Sequence, residues 1–540
     1  MTSASAPPAA LEAMPSPETF AAAYARGEPQ VVWTRLIADL ETPVSAYLKL
    51  VHSQNSDAAG AMSFLLESVE GGATRGRYSV IGLEPDLIWR AHGDRAQINT
   101  RPATDANAYK TEPPGALASL RAVLAASRLT LPEGLPPMAA GVFGYMGYDT
   151  IRLVERLPNV KPDDLGVPDA VLMRPTIIVI FDSVRDEMCI VTPVRPNPAV
   201  KPAAALAAAH ARLANVISRL ESPVAHLVPA VPADAVLHSE PQSNTTPAEY
   251  LGMVAKAKEY IAAGDIFQVV LSQRFSAPFT LPPFALYRAL RRLNPSPFLF
   301  HLDFGAFALV GSSPEILVRV RDGQVTIRPI AGTTRRGATE AEDRALGEAL
   351  LRDPKERAEH LMLLDLGRND VGRVAKTGTV EVTDQFVVER YSHVMHIVSN
   401  VVGTLDPAHD TVEALMAGFP AGTVSGAPKV RAMEVIDELE KSKRGAYAGC
   451  VGYFTADGEM DTAIVLRTGL VKDGMLHVQA GAGVVYDSIP ENEQQECINK
   501  AKAVVRAAEE AVRQANGATS GGPKSGGPKS GASANGGTFG

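Results

Sequence analysis

Cysteine is scarce. The 540 residues hold three, Cys189, Cys450 and Cys497, far apart and without metal or redox spacing. A disulfide scaffold and a cysteine metal site are excluded, and a reducing cytoplasm is the expected compartment. No apolar run approaches the roughly 18 residues that a membrane span needs. The opening MTSASAPPAALEAMPSPE lacks a basic start followed by an apolar stretch, so no secretory signal is expected. Positive charge is also short: Lys plus Arg is 52 against 60 for Asp plus Glu, a net −8. That balance argues against non-specific nucleic-acid binding, and an anionic substrate would have to find positive charge locally. No G-x-G-x-x-G precedes a helix, which removes a dinucleotide site.

What is present is ordinary for a globular chain. Hydrophobic residues make up 46%, and the length suggests two to four domains at roughly 100–200 residues each. Residues 1–17, rich in Ala, Pro and Ser, read as a disordered tail. Residues 517–540 repeat GGPKS and bury too little to offset ordering, so they read as a second one. Closely spaced prolines over 221–246 read as a linker between an N-terminal region, 18–220, and a C-terminal one, 247–516. Thr246-Pro247-Ala248-Glu249 is a capping box with proline at the first helical position. Tyr250, Val254, Ala257 and Ile261 follow at helical spacing. Strands are expected at 267–271, 306–310, 448–454, 463–470 and 475–479. Long helices are expected at 341–370, 428–443 and 491–516. Without a βαβ rhythm, the class is α+β, with antiparallel sheets and helices at their margins.

Two glutamate pairs stand out. Glu356 and Glu359 lie three apart, as do Glu493 and Glu496, and Lys500 follows Glu496 at i+4. On helices each set shares one face. Facing each other, they would form an oxygen-rich pocket for a hard divalent cation. Taken singly, each pair reads as a solvated helix face. Loops rich in Gly and Thr, at 329–337, 419–429 and 479–485, could offer donors to an anion. Arg467 is expected half-buried on a strand, where it needs an anion: a structural carboxylate or a substrate.

Seven motifs in one order then carry a resemblance: DPKERAEHLMLLDLGRND, RYSHVMH, GTVSGAPKVRAME, YAGCVGYF, DTAIVLRT, QAGAGVV and PENEQQE. The chain resembles the chorismate-utilising enzymes, densely over about residues 245–515 and more thinly upstream through LLES and RYSVIG. The resemblance implies an antiparallel β-sandwich with peripheral helices and an active-site cleft where the two carboxylate helices face each other. It implies Glu359 and Glu496 as direct Mg²⁺ ligands, with Glu356 and Glu493 in support through water. Gly332, Thr333, Tyr447, Arg467, Gly481, Ala482, Gly483 and Lys500 match chorismate-binding positions. Glu315 matches the acid that protonates the departing hydroxyl, and His396 the group that assists pyruvate loss. Gln268 and Thr423 complete the catalytic set.

Discriminating residues point to the anthranilate synthase large subunits. Isochorismate- and salicylate-forming relatives carry a lysine where Gln268 stands, and glutamine cannot activate water as a base. Aminodeoxychorismate synthases read P-I-K-G-T where this chain reads P-I-A-G-T, with Ala331. LLES, with Glu67 and Ser68, and NPSPFLF, with Asn294, Pro297, Phe298 and Leu299, match a feedback pocket for L-tryptophan. Many relatives read N-P-S-P-Y-M-F, so a hydroxyl is missing here. No stretch resembles a glutamine amidotransferase, which needs a nucleophilic Cys at a Gly-rich elbow. The chain would use free ammonia alone and glutamine only with an amidotransferase subunit, as a heterotetramer. The alternatives are an aminodeoxychorismate synthase component, against which Ala331 speaks, and a tryptophan-binding pseudoenzyme. The intact set Glu315, Glu356, Glu359, His396, Glu493 and Glu496 speaks against the latter.

Overall fold

The computed structural model describes residues 13–52, 62–70, 74–223, 240–391 and 394–519. Most of the N-terminal tail (1–12), the centre of the Pro-rich stretch (224–239) and the end (520–540) lie outside them. So do residues 392–393 of the RYSHVMH motif.

The strands form one continuous antiparallel network. Gln268–Pro278 pairs with Met475–Val484, which pairs with Thr468–Lys472. The ladder continues through Ala308–Ser313, Phe298–Asp303, Ser63–Glu70, Thr74–His92 and Ala170–Asp182. From Ala170–Asp182 one branch runs to Glu187–Val194 and Gln30–Ile37. The other passes through Gly141–Met146, Cys450–Thr455, Met460–Ile464, Ile316–Arg321 and Gln324–Ile327 to Val394–Thr404. Ile330–Arg335 and Glu381–Arg390 also pair with that last strand.

The network folds over on itself. Phe64, Phe143, Tyr145, Phe300, Leu309, Val451 and Leu470 fill a core made by strands and their loops. Two further cores lie where the outer faces meet helices. The result is the expected antiparallel sandwich with helices around it. Ala170–Asp182 shows why its strand has no alternating pattern. Ile178 and Ile180 enter the inter-strand core, while Ile177, Val179 and Phe181 enter a helix-side core. Both faces are dry, so the run is apolar throughout. Strands from before and after the Pro-rich stretch pair directly: Ser63–Glu70 with Phe298–Asp303, and Gly141–Met146 with Cys450–Thr455.

The structure corrects several expected boundaries. The helix expected at 341–370 is two, Glu340–Arg352 and Pro354–Gly372. Proline disfavours helical geometry in the residue before it, and Asp353 sits extended at φ −67° and ψ 117°. Its carboxylate accepts the N–H groups of Lys355 and Glu356 and so starts the second helix. The strand expected at 463–470 is broken, with Arg467 at φ 47° between Met460–Ile464 and Thr468–Lys472. The strand expected at 475–479 runs on to Val484. Residues 13–17 are ordered: Met14 bridges Trp33, and Ser16 caps the helix Pro17–Ala25 by accepting from Thr19 N–H. The end of the Pro-rich stretch is ordered too, since Gln242–Ser243 pairs with Ser276 and Phe275. The last helix, Pro490–Thr519, outruns its expected end by three residues.

One buried ion pair ties three elements at the heart of this arrangement. Arg444 and Glu440 have side chains 1% and 4% exposed and meet at 2.6 Å. Glu440 accepts both N–H and Oγ–H of Ser272 at 2.8 Å. Arg444 donates to Val270 O at 2.7 Å and Val424 O at 2.8 Å. Removing one partner strands a charge in a dry interior, at a cost of roughly 3–5 kcal/mol. Arg444→Met should therefore lower the thermal midpoint clearly, and Arg444→Met/Glu440→Gln should melt above the single variant. A double variant melting no higher than the single one would show that packing, and not the stranded charge, sets the loss.

Candidate active site

The two glutamate pairs lie on two helices, and Glu496 of the second acts on Glu359 of the first. Glu356 and Glu359 project from Pro354–Gly372, and Glu493 and Glu496 from the first turns of Pro490–Thr519. Burial raises the Glu359 carboxyl, helped by Glu356 on its own helix and Glu496 on the other. Burial likewise raises Glu493, with Glu496 adding to it. Lys500 answers part of this charge, 2.7 Å from Glu496, and also donates to Gly481 O at 2.9 Å. Among the described residues no three acidic, His or Cys side chains converge tightly enough to hold an ion unaided. Mg²⁺ does not need them to, since it commonly takes one or two carboxylates and keeps its waters. A group of like charges short of a counter-ion, with solvent access at Glu496, fits that cation.

Opposite lies a strand edge left bare. Ser272 gives its N–H to Glu440, and Val270 bonds Ser425 O and Arg444. Neither therefore bonds its ladder partner, Gly481 or Gly483. In an antiparallel ladder, the backbone groups of both members of such a pair point away from each other. Gly481 and Gly483 thus turn their N–H groups outward, two residues apart, where the next strand has departed at Arg467. Ala482, fully buried between them, pairs with Leu271. Its N–H is directed into the ladder, where those of Gly481 and Gly483 are not. Arg467 is half-buried, off the strand where it was expected. Burial lowers its pKa, and no carboxylate appears among the groups acting on it. No carboxylate pairs with it among the described residues, so its guanidinium is available to an anion. Tyr447 closes the wall, with the Gly481 N–H beside its hydroxyl.

Gln268 heads the neighbouring strand. Its Nε2 donates to Glu359 Oε1 at 3.3 Å, and a Cβ on Gly483 would stand 2.7 Å from that nitrogen. A side chain there would have to displace the Gln268 amide. The Gln268 Oε1 is buried and has no partner among the described residues, an orphan acceptor of the kind that folded interiors avoid.

Glu315 and Thr423 meet across 108 residues of chain. Thr423 Oγ1 donates to both carboxylate oxygens at 3.2 Å. Burial nevertheless wins and pushes Glu315 up to about 8, so it is a protonated acid at neutral pH. His396 Nδ1 lies 3.2 Å from Gly332 O and 3.0 Å from Thr333 Oγ1. A carbonyl only accepts, so the hydrogen sits on Nδ1 and Nε2 keeps its lone pair. Burial, then Arg467, lowers His396 to about 4, leaving it neutral. Gly332 adopts φ 71°, and Glu356 Oε2 lies 3.2 Å from where its Cβ would be. Substitution there is both strained and crowded.

Sequence reading passed over His360. It is fully buried beside Glu359, with Nε2 2.7 Å from Ser399 Oγ. Ser399 also accepts the Phe386 N–H at 3.0 Å. These bonds pin the first carboxylate helix to the strand that carries His396. The signal was available: His360, Leu363, Leu364, Gly367 and Val371 recur at core spacing on one face.

The two segments expected around tryptophan are neighbours in the sheet. Ser68 lies opposite Phe298, and Glu67 opposite Leu299. Strand alternation sends the members of each pair to one face and separates the two pairs. Glu67 and Leu299 face the helix Pro283–Leu293, where Arg291 Nε and the Tyr287 hydroxyl both hold Glu67 at 2.5 Å. Ser68 donates to Tyr78 O at 3.3 Å, beside a bulge between Glu67 and Val69. Asn294 caps the same helix, and its carbonyl accepts from Ser312 Oγ at 2.5 Å. Pro297 immediately precedes the Phe298–Asp303 strand.

The Glu315 environment makes a stability prediction. Its folded value, about 8, lies above the ordinary 4.5. The folded protein then holds a proton that the unfolded chain releases, so this contribution is full below about 4.5 and is lost as pH rises through about 8. Glu315→Gln has no such slope. It should gain on the parent by a few kcal/mol at most near pH 8, and by nearly nothing at pH 5. Thermal melts at both pH values check this, and a constant difference would mean that Glu315 is ionised throughout.

Known proteins share both sequence and shape. A model of the chorismate binding enzyme family matches residues 84–506. Anthranilate synthase component 1 of Cereibacter sphaeroides is 56% identical over 503 residues, 92% of this chain and 98% of that protein. The crystal structure of anthranilate synthase component I from Streptococcus pneumoniae superposes with TM-score 0.69 at 38% identity, covering 88% of this chain and 99% of that one. The menaquinone-specific isochorismate synthase of Escherichia coli has TM-score 0.65 over 92% of this chain and 100% of its own, at 20% identity, a likeness of fold alone. Fold does not choose among reactions, but identity at this level over nearly the whole length, with the site residues in place, does choose the family: the chain belongs to the chorismate binding enzymes, in their anthranilate synthase component 1 branch.

Proposed function

We propose that this chorismate-utilising enzyme adds ammonia to chorismate, releasing water and then pyruvate to leave anthranilate, the first committed step toward tryptophan. The observation that carries the amination is Gln268. Its amide nitrogen is tied to Glu359, and its orphan oxygen can accept N–H from ammonia at the ring. It cannot act as a base toward water.

The residues divide the work. Arg467 and the outward N–H groups of Gly481 and Gly483 bind the enolpyruvyl carboxylate, with Tyr447, Thr333 and Lys500 around it. Mg²⁺, held by Glu359 and Glu496 and through water by Glu356 and Glu493, would supply positive charge for the ring carboxylate. Glu315, positioned by Thr423, gives its proton to the ring hydroxyl, which departs as water while ammonia forms the new C–N bond and the nitrogen then gives up its extra proton to solvent. His396 Nε2 then takes the ring proton beside that bond. The ether bond breaks, the enolpyruvyl methylene gains a proton, and pyruvate leaves as the ring becomes aromatic. Ala331, buried in its strand opposite Ile397, has no amine for an adduct, which speaks against the aminodeoxychorismate alternative. Glutamine would serve through a separate amidotransferase subunit in the cytoplasm, within a heterotetramer. No helix among the described residues is long and apolar enough to cross a membrane.

The deciding assay is the purified chain with chorismate, Mg²⁺ and an ammonium salt. Anthranilate fluorescence with equimolar pyruvate is expected. Accumulating aminodeoxychorismate would replace the proposal, and no turnover would leave a tryptophan-binding pseudoenzyme. Glu359→Gln and Glu496→Gln keep volume and remove a charge, so each should lower activity by about 100-fold or more at sub-millimolar Mg²⁺. Near-native activity in either variant would remove the metal assignment.

Tryptophan is proposed as the feedback inhibitor at the Glu67–Ser68 and Asn294–Leu299 strands. A ligand bridging segments so far apart in sequence can bias their arrangement if it prefers one. Its ammonium would have to draw Glu67 away from Arg291 and Tyr287. Loss of one hydrogen bond at Ser68 should cost roughly 0.5–1.5 kcal/mol, so Ser68→Ala should raise the half-inhibiting tryptophan concentration by up to about tenfold. Uninhibited turnover should stay close to the parent's. Superimposable tryptophan titrations at fixed chorismate would place the pocket elsewhere.

A further inference from the structure

A cavity of about 20 Å³ lies behind Glu315, enough for a water molecule. Glu315, Thr423 and Asp370 line it, with Leu363, Leu366 and Gly422 among the apolar wall. None of Gly332, Thr333, Tyr447, Arg467, Gly481, Gly483 or Lys500 does. It is thus a second face of the Glu315 carboxyl, distinct from the chorismate side. Asp370, near the end of the first carboxylate helix, has a side chain 7% exposed and pairs with Lys429 at 2.8 Å through Oδ2.

The proposed chemistry gives this face a task. Each turnover takes a proton from Glu315 and leaves a buried carboxylate. Its neighbours are the Thr423 hydroxyl and the Ile330 N–H, and no cation is among them. Such a charge is costly, and the proton must return before the next cycle. The chorismate side holds product and the site's own carboxylates. The other face leads, through water, to a second carboxyl group.

We propose that Asp370, held by Lys429, relays a proton through water in this cavity to Glu315 after each turnover. A proton taken up on the Asp370 carboxylate passes to the cavity water as that water gives one of its own to Glu315. Asp370 returns to the carboxylate form facing the Lys429 ammonium, and no electron pair changes atoms other than oxygen. The inference rests on Glu315 being the acid of the first step. Burial raises Asp370 despite its lysine, which brings it toward the range where it can carry a proton.

Asp370→Asn keeps the shape and an oxygen for Lys429 but carries no proton. With enzyme in excess over chorismate, the single-turnover rate should stay within about twofold of the parent, because Glu315 starts protonated, while the steady-state rate falls about tenfold. Imidazolium buffer, a small proton donor, should restore part of the steady-state rate. Gly367→Ala is the second variant. Its methyl would stand 3.5 Å from Ile327 Cγ2, 3.7 Å from Val401 Cγ2 and 3.9 Å from Pro329 Cδ; Gly367, Ile327 and Pro329 line the cavity, and no charged group is removed. The same split is expected from it. Equal loss in both regimes, or no loss in steady state, in Gly367→Ala and in any folded Asp370→Asn, overturns the relay. Glu315→Gln separates the layers: a surviving single-turnover rate there removes the acid assignment itself, whereas failure of the relay alone leaves Glu315→Gln inactive.

Discussion

A guanidinium and a carboxylate buried together must satisfy each other and every donor and acceptor that remains. Arg444 and Glu440 do so by drawing on the backbone of one strand, at Val270 and Ser272, and on Val424 beside the catalytic threonine. Much of the site follows from that demand. Because Val270 and Ser272 bond away from their neighbour, Gly483 and Gly481 on that neighbour are left facing outward. Because the adjoining strand turns off at Arg467, no strand among the described residues pairs with them on that side, where Tyr447 and Lys500 meet Gly481. The outward-facing edge is therefore the complement of a structural ion pair.

The electrostatics of the cleft are unequal by design of its surroundings. Carboxylates from two helices gather where solvent still reaches, so they remain available to a cation. Glu315 sits deeper, where burial outweighs the Thr423 hydrogen bond and keeps a proton on it near neutral pH. His396 is buried beside a guanidinium and stays neutral for the same reason in reverse. One carboxyl type thus takes two protonation states at neutral pH, divided by depth.

The strands that carry LLES and FLF show the limit of reading residues as neighbours in sequence. LLES and NPSPFLF do meet, as adjacent antiparallel strands. Glu67 and Ser68 nevertheless face opposite sides, since successive strand residues alternate. Glu67 is engaged by Arg291 and Tyr287, and no spacing in the chain announced either partner. His360 is the converse case: its place on the buried stripe of its helix was visible, and its bond to Ser399 was not.

Local order along the chain determined what lies close in sequence. The capping box at Thr246 and the glutamates on shared helix faces follow from short-range sterics and the helical repeat. So does the half-buried arginine that lacks a local anion. The seven motifs in register reached further and named the family and its sandwich. Only the tertiary structure decided which faces meet. It broke the strand at Arg467 and gave Gly481 and Gly483 outward N–H groups while Ala482 turned inward. These outcomes depend on hydrogen bonds and burial between segments 100 or more residues apart, as at Glu315 and Thr423. Periodicity reports which way a side chain points from its own element, and it carries no information about what stands on the other side.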